Sequence, residues 1–530
     1  MEDVVRLAKP KKKGLLHLVF SRFFLIAGLL VLQILIVISF YSWLRNLLPF
    51  FSVIVVIFTL AGVIYLFCSG MDSSAKLTWM FIIAVVPISG AAMLAFTQMN
   101  IGHRRIMQKV RELIEGTSNA IEQPEDALRK LKDDSCGTDD LVTYLNRSGC
   151  FPVYNRTKAT YFPLGEDKFE AMIRELKKAE KFIFLEYFII AEGYMWGSIL
   201  KILIDKAREG VEVRVMYDGM LEVSTLPADY CKLLQEQGIQ AKAFSPIRPV
   251  VSSHYNYRDH RKILVIDGKV AFTGGVNLAD EYINREERFG HWKDTAVMVK
   301  GDAACSFTLM FLQMWNITET EPVFEPYLSM CREAQNDFGK YRIMQNDSDG
   351  YVIPYCDCPL DEDKVGETVY MDILNRATDY VHIMTPYLIL DGELETALKY
   401  AAQRGIDVKL ILPGIPDKKL AYALAKSHYR RLVNAGVKIY EYTPGFVHAK
   451  VFVSDDKKAV VGTINLDYRS LYHHFECAAY LYKTDCIPDI EKDFQDTLSK
   501  CREVTQESIK NEKLFYKVMG SLMQFIAPMM

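Results

Sequence analysis

Three apolar stretches occupy most of the first hundred residues: Phe23 to Trp43, Phe50 to Cys68 and Leu77 to Phe96. Each is long enough to cross a hydrocarbon core, which takes about 20 apolar residues in a helix. A cleavable signal peptide has one short apolar region, so the pattern instead predicts a permanent anchor of two to three transmembrane segments in residues 1–100. Basic residues flank the anchor on both sides, and both flanks therefore favour the cytoplasmic face. Pro87 and Gly90 make the third stretch the best candidate for a re-entrant segment.

Two shorter segments border the rest of the chain. Residues 101–135 are charged and predict a helical connector. Residues 513–530 place apolar side chains near the helical period until Pro528 and predict an amphipathic C-terminal tail. Such a tail either lies on a bilayer surface or packs against the folded domain before it.

Between these segments the hydrophobic pattern is repeated. Apolar runs typical of buried strands alternate with longer runs at helical period, in the order helix, strand, helix, strand. These elements are Phe169 to Lys181, Phe182 to Phe188, Ile199 to Glu209 and Val211 to Tyr217 in the first half, and Val369 to Asp379, Val381 to Thr385, Leu394 to Arg404 and Ile406 to Leu412 in the second. The pattern predicts sheets with parallel strands covered by helices, in two domains over residues 136–335 and 336–512.

Composition excludes several classes of protein. The 530 residues are 50% hydrophobic and 24% charged, which argues against a disordered chain. The formal net charge is -3, so a generally basic surface for nucleic acid is not expected. The 11 cysteines follow no regular framework and are typical of reduced thiols. Cys356 and Cys358 form the only close pair in the sequence, and without a second pair at ligand spacing they indicate a loop rather than a metal site.

One motif occurs twice, once in each half. Both copies have the pattern H-x-K-x4-D and continue to Gly-x-x-Asn, with the same spacing from histidine to asparagine. They consist of His260, Lys262, Asp267 and Asn277 in the first half and His448, Lys450, Asp455 and Asn465 in the second. Two copies in register are far rarer than chance matches to one short motif, so this is the strongest functional signal in the sequence.

The residue types of this motif suit phosphodiester chemistry. Residues two apart on a strand face the same side, so the histidine and lysine of each copy project together. If the halves pack about a pseudo-twofold axis, both copies converge on one phosphate. We expect the lysines and asparagines to bind the phosphate oxygens, where negative charge grows in the transition state, without a metal or other cofactor. One imidazole attacks phosphorus, and the other protonates the leaving oxygen and then deprotonates the incoming alcohol or water.

Further residues are expected to orient or brace the site. A nucleophilic histidine must be neutral and held in one tautomer, which requires an acidic partner on its other ring nitrogen. Asp294 is the candidate partner of His260, and Glu476 is the candidate partner of the second motif histidine. The motif aspartates lie at the far end of each copy, so we expect them to brace a turn or the domain interface rather than to touch substrate. His473 and His474 have no matched context and receive no role.

The duplicated motif resembles the phospholipase D superfamily, and the likeness covers nearly all of residues 135–530. Within it the sequence is most similar to bacterial cardiolipin synthases. The segments that carry this narrower resemblance are Leu185-Glu-Tyr-Phe188, Tyr217-Asp-Gly219, Arg258-Asp-His-Arg-Lys262, Trp292-Lys-Asp-Thr295 and Asn465-Leu-Asp-Tyr-Arg-Ser470. The resemblance implies an α/β fold of two phospholipase D-like α/β/α domains with mixed sheets, related by a pseudo-twofold axis, with N-terminal transmembrane helices.

The same resemblance implies a phosphatidyltransferase. It would transfer a phosphatidyl group from one phosphatidylglycerol to a terminal hydroxyl of another, giving cardiolipin and glycerol through a phosphohistidine and without a cofactor. The superfamily pattern implies that His260 attacks and that His448 acts as acid and base. The implied partners are phospholipids and a membrane, not nucleic acid. The implied location is the bacterial cell membrane, as a multi-pass protein with its catalytic domain at the cytoplasmic face.

Four alternatives stay open on the sequence, and the first is another phosphatidyltransferase of the same superfamily. A phospholipase D hydrolase would use the same covalent step and let water take the phosphatidyl group, a choice that pocket shape decides. A membrane-tethered nuclease would use a basic groove with stacking aromatic residues, and the net charge argues against it. A scaffold that binds anionic lipids without catalysis would not need both histidines and both lysines.

Overall fold

The computed structural model describes residues 4–8, 35, 39–40, 42–43, 50–98, 104–134, 137–246, 257–343, 350–361 and 363–527. These residues form two compact units. The larger unit contains the described residues of Met1–Lys9, Arg105–Pro249 and Tyr255–Gln524, and therefore both copies of the motif. The smaller unit contains the described residues of Pro10–Arg104 and Phe525–Met530.

The larger unit is built from two halves, each with its own sheet. The strands of the first half are β1 (Thr157–Phe162), β2 (Phe182–Tyr187), β3 (Glu212–Asp218), β4 (Gln240–Phe244), β5 (Arg258–Asp259), β6 (Lys262–Ile266), β7 (Val270–Gly274), β8 (His291–Lys293) and β9 (Ala296–Gly301). The strands of the second half are β10 (Tyr351–Asp357), β11 (Tyr380–Met384), β12 (Asp407–Pro413), β13 (Lys438–Tyr442), β14 (Gly445–Val447), β15 (Val451–Ser454), β16 (Lys458–Gly462), β17 (His474–Tyr482) and β18 (Cys501–Glu503).

The two main sheets have the same strand order. It is β1-β9-β7-β6-β2-β3-β4 in the first half and β10-β17-β16-β15-β11-β12-β13 in the second, where β18 extends the edge. Strands β2, β3 and β4 run parallel, as do β11, β12 and β13. The motif strands β6 and β15 join these groups in antiparallel orientation. The prediction of two α/β halves with mixed sheets is confirmed.

The central strands are apolar along their whole length because the sheets are covered by helices. All six residues of β2 and all five of β11 are buried, as expected for strands packed on both faces. The helices of this unit are Arg104–Gly116, Glu125–Asp133, Thr138–Ser148, Gly165–Leu176, Tyr194–Arg208, Leu221–Ser224, Tyr230–Gln235, Ala304–Trp315, Glu325–Ile343, Val365–Arg376, Gly392–Gln403, Lys419–Asn434, Tyr468–Tyr472, Ile487–Leu498, Gln506–Lys510 and Leu514–Ile526, with short 3-10 turns at Asp280–Ile283 and Asn316–Thr318.

Two short strand pairs join the halves. Strand β5, just before His260, pairs in parallel with the start of β17, and β14, just before His448, pairs in parallel with β8. The backbone N–H of His260 donates to Phe475 O at 3.0 Å, and that of His448 donates to Lys293 O at 2.7 Å. Each motif histidine is thus held against a strand of the other half, and this reciprocal exchange is what a pseudo-twofold relation requires.

The two border segments pack into the larger unit. Helices Arg104–Gly116 and Glu125–Asp133, which cover the predicted connector, bury Val110 and Leu131 in the main core. The tail helix Leu514–Ile526 contacts helix Lys419–Asn434, where the ring of Tyr516 lies 5.6 Å from that of Tyr422. A side chain at Gly520 would place its Cβ 2.5 Å from the backbone oxygen of Ala423. The tail helix therefore packs against the folded domain.

The smaller unit has three described helices beyond residue 50: Phe51–Cys68, Ser73–Val85 and Pro87–Gln98. The predicted third span, Leu77 to Phe96, is interrupted at Val86 because a residue before proline disfavours helical geometry. The two helices that result have 13 and 12 residues. The helix over the second stretch has 18 residues. Most of the stretch Phe23 to Trp43 lies outside the described residues.

None of the described helices is both long enough and apolar enough to cross a membrane. The prediction of a multi-pass protein of the bacterial cell membrane, with its catalytic domain at the cytoplasmic face, is wrong on this finding. The spans were predicted from the lengths of the apolar stretches. A membrane span must also be one continuous helix, and Pro87 divides the third stretch into two shorter helices.

Candidate active site

His260 is held by two groups from the second half of the chain. Its backbone N–H binds β17, and its Nδ1 lies 2.9 Å from both carboxylate oxygens of Glu476. Glu476 is fully buried and also accepts a hydrogen bond from the hydroxyl of Thr463. Because Nδ1 carries the proton that is donated to the carboxylate, Nε2 keeps its lone pair and is the nitrogen available for chemistry.

His448 has the same arrangement with the halves exchanged. Its Nδ1 lies 2.7 Å from Oδ2 of Asp294, the residue that follows β8. Asp294 is fully buried, and its other oxygen accepts the backbone N–H of Thr295 at 2.8 Å. Nδ1 of His448 also lies 2.9 Å from Nζ of Lys450. Its proton position is therefore influenced by a carboxylate and by a cation together.

The predicted pairings of Asp294 with His260 and of Glu476 with His448 are both wrong. Along the chain each acid follows the histidine of its own half. The parallel pairs β5–β17 and β14–β8 instead bring each acid to the histidine of the other half. Neither half can therefore complete an oriented histidine by itself, and the two motif copies form one composite site.

Burial keeps both histidines neutral. The pKa of His448 falls to about 4, first because the ring is buried and then because Lys450 lies beside it. Burial also lowers the pKa of His260 well below its ordinary value, although Glu476 favours the charged ring. Burial alone would raise the pKa of Glu476, but its charge interactions and hydrogen bonds with His260 and His474 more than offset this and lower that pKa. At neutral pH two uncharged imidazoles are present, as a nucleophile and a general base require.

The two motif lysines are buried cations within the same electrostatic environment. Burial lowers the pKa of Lys262 to about 8 and that of Lys450 to about 7. Glu476 and Asp294 both act on both lysines and favour their charged forms. Each lysine also donates to the backbone oxygen of its own motif histidine. A bound phosphate anion would stabilise the protonated lysines further, because a nearby negative charge raises the pKa of a cation.

The motif asparagines contact neighbouring loops. Asn277 accepts the backbone N–H of Ile189 at 3.0 Å and donates to the hydroxyl of Tyr282 at 2.8 Å. Nδ2 of Asn465 lies 3.3 Å from Asp467, and its buried Oδ1 has no partner among the described residues. A side-chain amide has two N–H donors, and the described contacts use one on each asparagine. Phosphate binding by the second donor stays a prediction.

The motif aspartates lie at the opposite end of each motif strand from the histidine. Asp267 accepts the backbone N–H groups of residues 180–182 at 2.7–2.9 Å. Asp455 accepts those of residues 378–380 at 2.9–3.0 Å. Each aspartate therefore ties the turn after its motif strand to the start of the adjacent β2 or β11, which is a bracing contact remote from the histidine end.

Aromatic rings and a third histidine line the site and were not expected from the sequence. The ring of His474 lies 5.3 Å from that of His260, and the ring of Phe188 lies 5.0 Å from it. Trp292 and Tyr282 lie 5.5 Å and 5.4 Å from the ring of His448. His474 could have been found, because it stands two residues before Glu476 on one strand and residues two apart share a face.

Comparison with known proteins places this site in a family. The family model described as cardiolipin synthase, PLD-like domain matches residues 172–315 and 370–498, which include both motif copies and both carboxylates. An uncharacterized protein of Streptococcus mutans is 58% identical over 471 residues, covering 89% of this chain and 100% of that protein. Cardiolipin synthase 2 of Bacillus cereus is 32% identical over 467 residues, covering 88% of each chain.

A solved structure supports the fold. The phosphatidylserine synthase of Haemophilus influenzae aligns with a TM-score of 0.53 at 15% identity, covering 72% of this chain and 95% of that one. The exchanged histidine–carboxylate pairs lie within the residues that the family model matches. The chain belongs to the cardiolipin synthase, phospholipase D-like domain family, and it is a phosphatidyltransferase of the phospholipase D type.

Proposed function

We propose that this enzyme transfers a phosphatidyl group from one phosphatidylglycerol to a hydroxyl of a second, giving cardiolipin and glycerol. The observation that carries the proposal is the composite site, in which two neutral histidines are each oriented by a carboxylate from the other half. Double displacement at phosphorus needs this pair, one ring to attack and one to move protons. The names of relatives such as cardiolipin synthase 2 of Bacillus cereus support the choice of a phospholipid substrate.

His260 is the nucleophile in this proposal. Its Nδ1 faces both oxygens of Glu476, which fixes the lone pair on Nε2 and stabilises the positive charge that the ring gains on attack. Nε2 forms a bond to phosphorus, and the bond from phosphorus to the headgroup glycerol oxygen breaks. Lys262 and Lys450 stabilise the charge that develops on the remaining phosphate oxygens.

His448 moves the protons. In the free enzyme His448 is neutral, and it takes up a proton from solvent when the phosphodiester binds, because the added negative charge and Asp294 both favour the charged ring. Protonated His448 gives its proton to the leaving glycerol oxygen. The neutral ring then takes the proton of the second phosphatidylglycerol hydroxyl, whose oxygen attacks phosphorus while the bond to His260 breaks. Both histidines return to their starting states.

The purified full-length chain should be incubated with phosphatidylglycerol in mixed micelles and the products identified by mass spectrometry. Cardiolipin and glycerol in equal amounts are expected, and they should be absent with His260→Ala. Phosphatidic acid and glycerol without cardiolipin would replace the proposal with hydrolysis. A lack of any conversion, with cardiolipin synthase 2 of Bacillus cereus active in the same assay, would overturn the assigned substrate.

A further inference from the structure

His474 is a buried histidine beside the catalytic pair that the transfer reaction does not use. It is 7% exposed, and its Nε2 has no hydrogen-bond partner among the described residues. Buried polar groups in proteins almost always have a partner, so an unpartnered imidazole nitrogen in an active site calls for a ligand. Its Nδ1 lies 3.5 Å from Oε1 of Glu476, the same oxygen that lies 2.9 Å from Nδ1 of His260.

These three residues have the geometry of a metal site. One ligand atom from each of His260, His474 and Glu476 lies within 4.8 Å of the other two. Two imidazoles and a carboxylate suit zinc and neighbouring first-row ions. With bond lengths of about 2.0–2.1 Å, two ligand atoms on a tetrahedral zinc stand roughly 3.3 Å apart, close to the separations seen here. A fourth position would be left for water or substrate.

We propose that His260, His474 and Glu476 form an inhibitory site for a divalent transition-metal ion such as Zn²⁺. Coordination by Nδ1 of His260 needs the lone pair of that nitrogen, so the proton now on Nδ1 is lost and Nε2 takes one up. The ring is neutral before and after, but Nε2 no longer has a lone pair with which to attack phosphorus. The metal also replaces the hydrogen bond to Glu476. Inhibition rests on the role proposed above for His260, whereas binding does not.

The second histidine offers a natural contrast. Trp292 stands two residues before Asp294, as His474 stands two before Glu476, and its ring lies 5.5 Å from that of His448. An indole N–H is a donor only and provides no ligand atom. The proposed metal site therefore belongs to the His260 copy alone.

Binding is tested on the full-length protein after removal of metal with a chelator, by calorimetric titration with Zn²⁺ at neutral pH. The His474→Asn variant should lose one zinc ion or bind it at least about tenfold more weakly, the lower end of what even an outer-shell partner contributes. His473→Asn, which changes the adjacent histidine, is the matched control and should bind as the parent does. His260→Asn provides a second variant in case His474→Asn unfolds, which thermal unfolding would reveal. Unchanged zinc affinity in the folded variants would overturn the site.

Inhibition is tested as the ratio of turnover with and without Zn²⁺. The parent should lose turnover at one equivalent of zinc and regain it with chelator, whereas the ratio for His474→Asn should stay near one. Binding without inhibition would overturn the inhibitory role. It would leave the proposed transfer standing, because turnover in the absence of zinc is measured in the same experiment.

Discussion

The two histidine–carboxylate pairs have one geometry and different surroundings. His260 shares Nδ1 with Glu476 alone among the described contacts, whereas Nδ1 of His448 lies beside both Asp294 and Lys450. The first ring is therefore held in one tautomer, and the second is placed where its proton can be gained and lost. Both rings have a carboxylate partner and different neighbours, which fits the proposed roles of His260 as nucleophile and His448 as acid–base group.

The residues that contact Glu476 and Asp294 from behind differ for a steric reason. Thr463 in the second copy donates its hydroxyl to Glu476, and Gly275 holds the matching place in the first copy. A side chain at Gly275 would place its Cβ 2.0 Å from Oδ1 of Asp294. Asp294 therefore packs directly against the backbone of Gly275, whereas the carboxylate of Glu476 is held by the hydroxyl of Thr463.

The largest effects are expected from removing each histidine. His260→Ala should lower kcat by at least about 10⁴-fold, since the nucleophile is lost, and His448→Ala by about 10²–10⁴-fold, the contribution of a general acid–base group. With substrate labelled at phosphorus, the quenched His448→Ala enzyme should carry the label and His260→Ala should not. Label on the latter would reverse the assigned roles. Two half-active variants would mean independent sites.

Removal of the acids should separate the two steps. Glu476→Gln and Asp294→Asn should each lower turnover by about 10²–10⁴-fold, as loss of an orienting carboxylate does. We expect Glu476→Gln to slow formation of the covalent enzyme, and Asp294→Asn to slow its transfer to the second lipid. Rapid-quench measurement of both steps resolves them. Equal slowing of both steps in both variants would contradict the difference drawn between the pairs.

The lysines predict an alkaline loss of activity. Lys450 and Lys262, with pKa values lowered to about 7 and about 8, carry charge below these values and lose it above them. Profiles of kcat/KM report groups of the free enzyme, so the fall in kcat/KM should steepen above about pH 7, by a further factor of about ten per pH unit for each lysine that loses its proton. Lys450→Arg should remove the lower inflection, because arginine stays protonated. A flat profile from pH 7 to 9 would contradict this account.

The smallest effect concerns the hydroxyl behind Glu476. Thr463→Val removes one hydrogen bond to the carboxylate and should lower kcat by about fivefold, corresponding to about 1 kcal/mol. Thr273→Val is the matched control, because that buried hydroxyl contacts a cysteine sulfur at 3.4 Å instead of the acid. Steady-state assays of both variants decide the point, and equal losses would mean that the hydroxyl acts only through packing.

Local pattern predicted much of the fold. The predicted central strands match β2, β3, β11 and β12 to within one residue at each end, because a strand buried on both faces is a continuous apolar run. The predicted helices begin two to five residues too late, since their first turns contain residues outside the apolar period. The apolar stretches before residue 100 predicted spans that the described helices do not provide, because Pro87 divides one of them.

By itself the sequence determined the duplication and the two motif copies, because these are read from residue types at fixed spacing. Only the tertiary structure decided which acid serves which histidine. His260 and Glu476 are 216 positions apart in the chain, and His448 and Asp294 are 154 apart. Their contact depends on short parallel strand pairs between the halves, and pairing across such distances leaves no periodic trace in either segment. The same pairing of strands places His474 beside His260, although the sequence around His474 matches no motif.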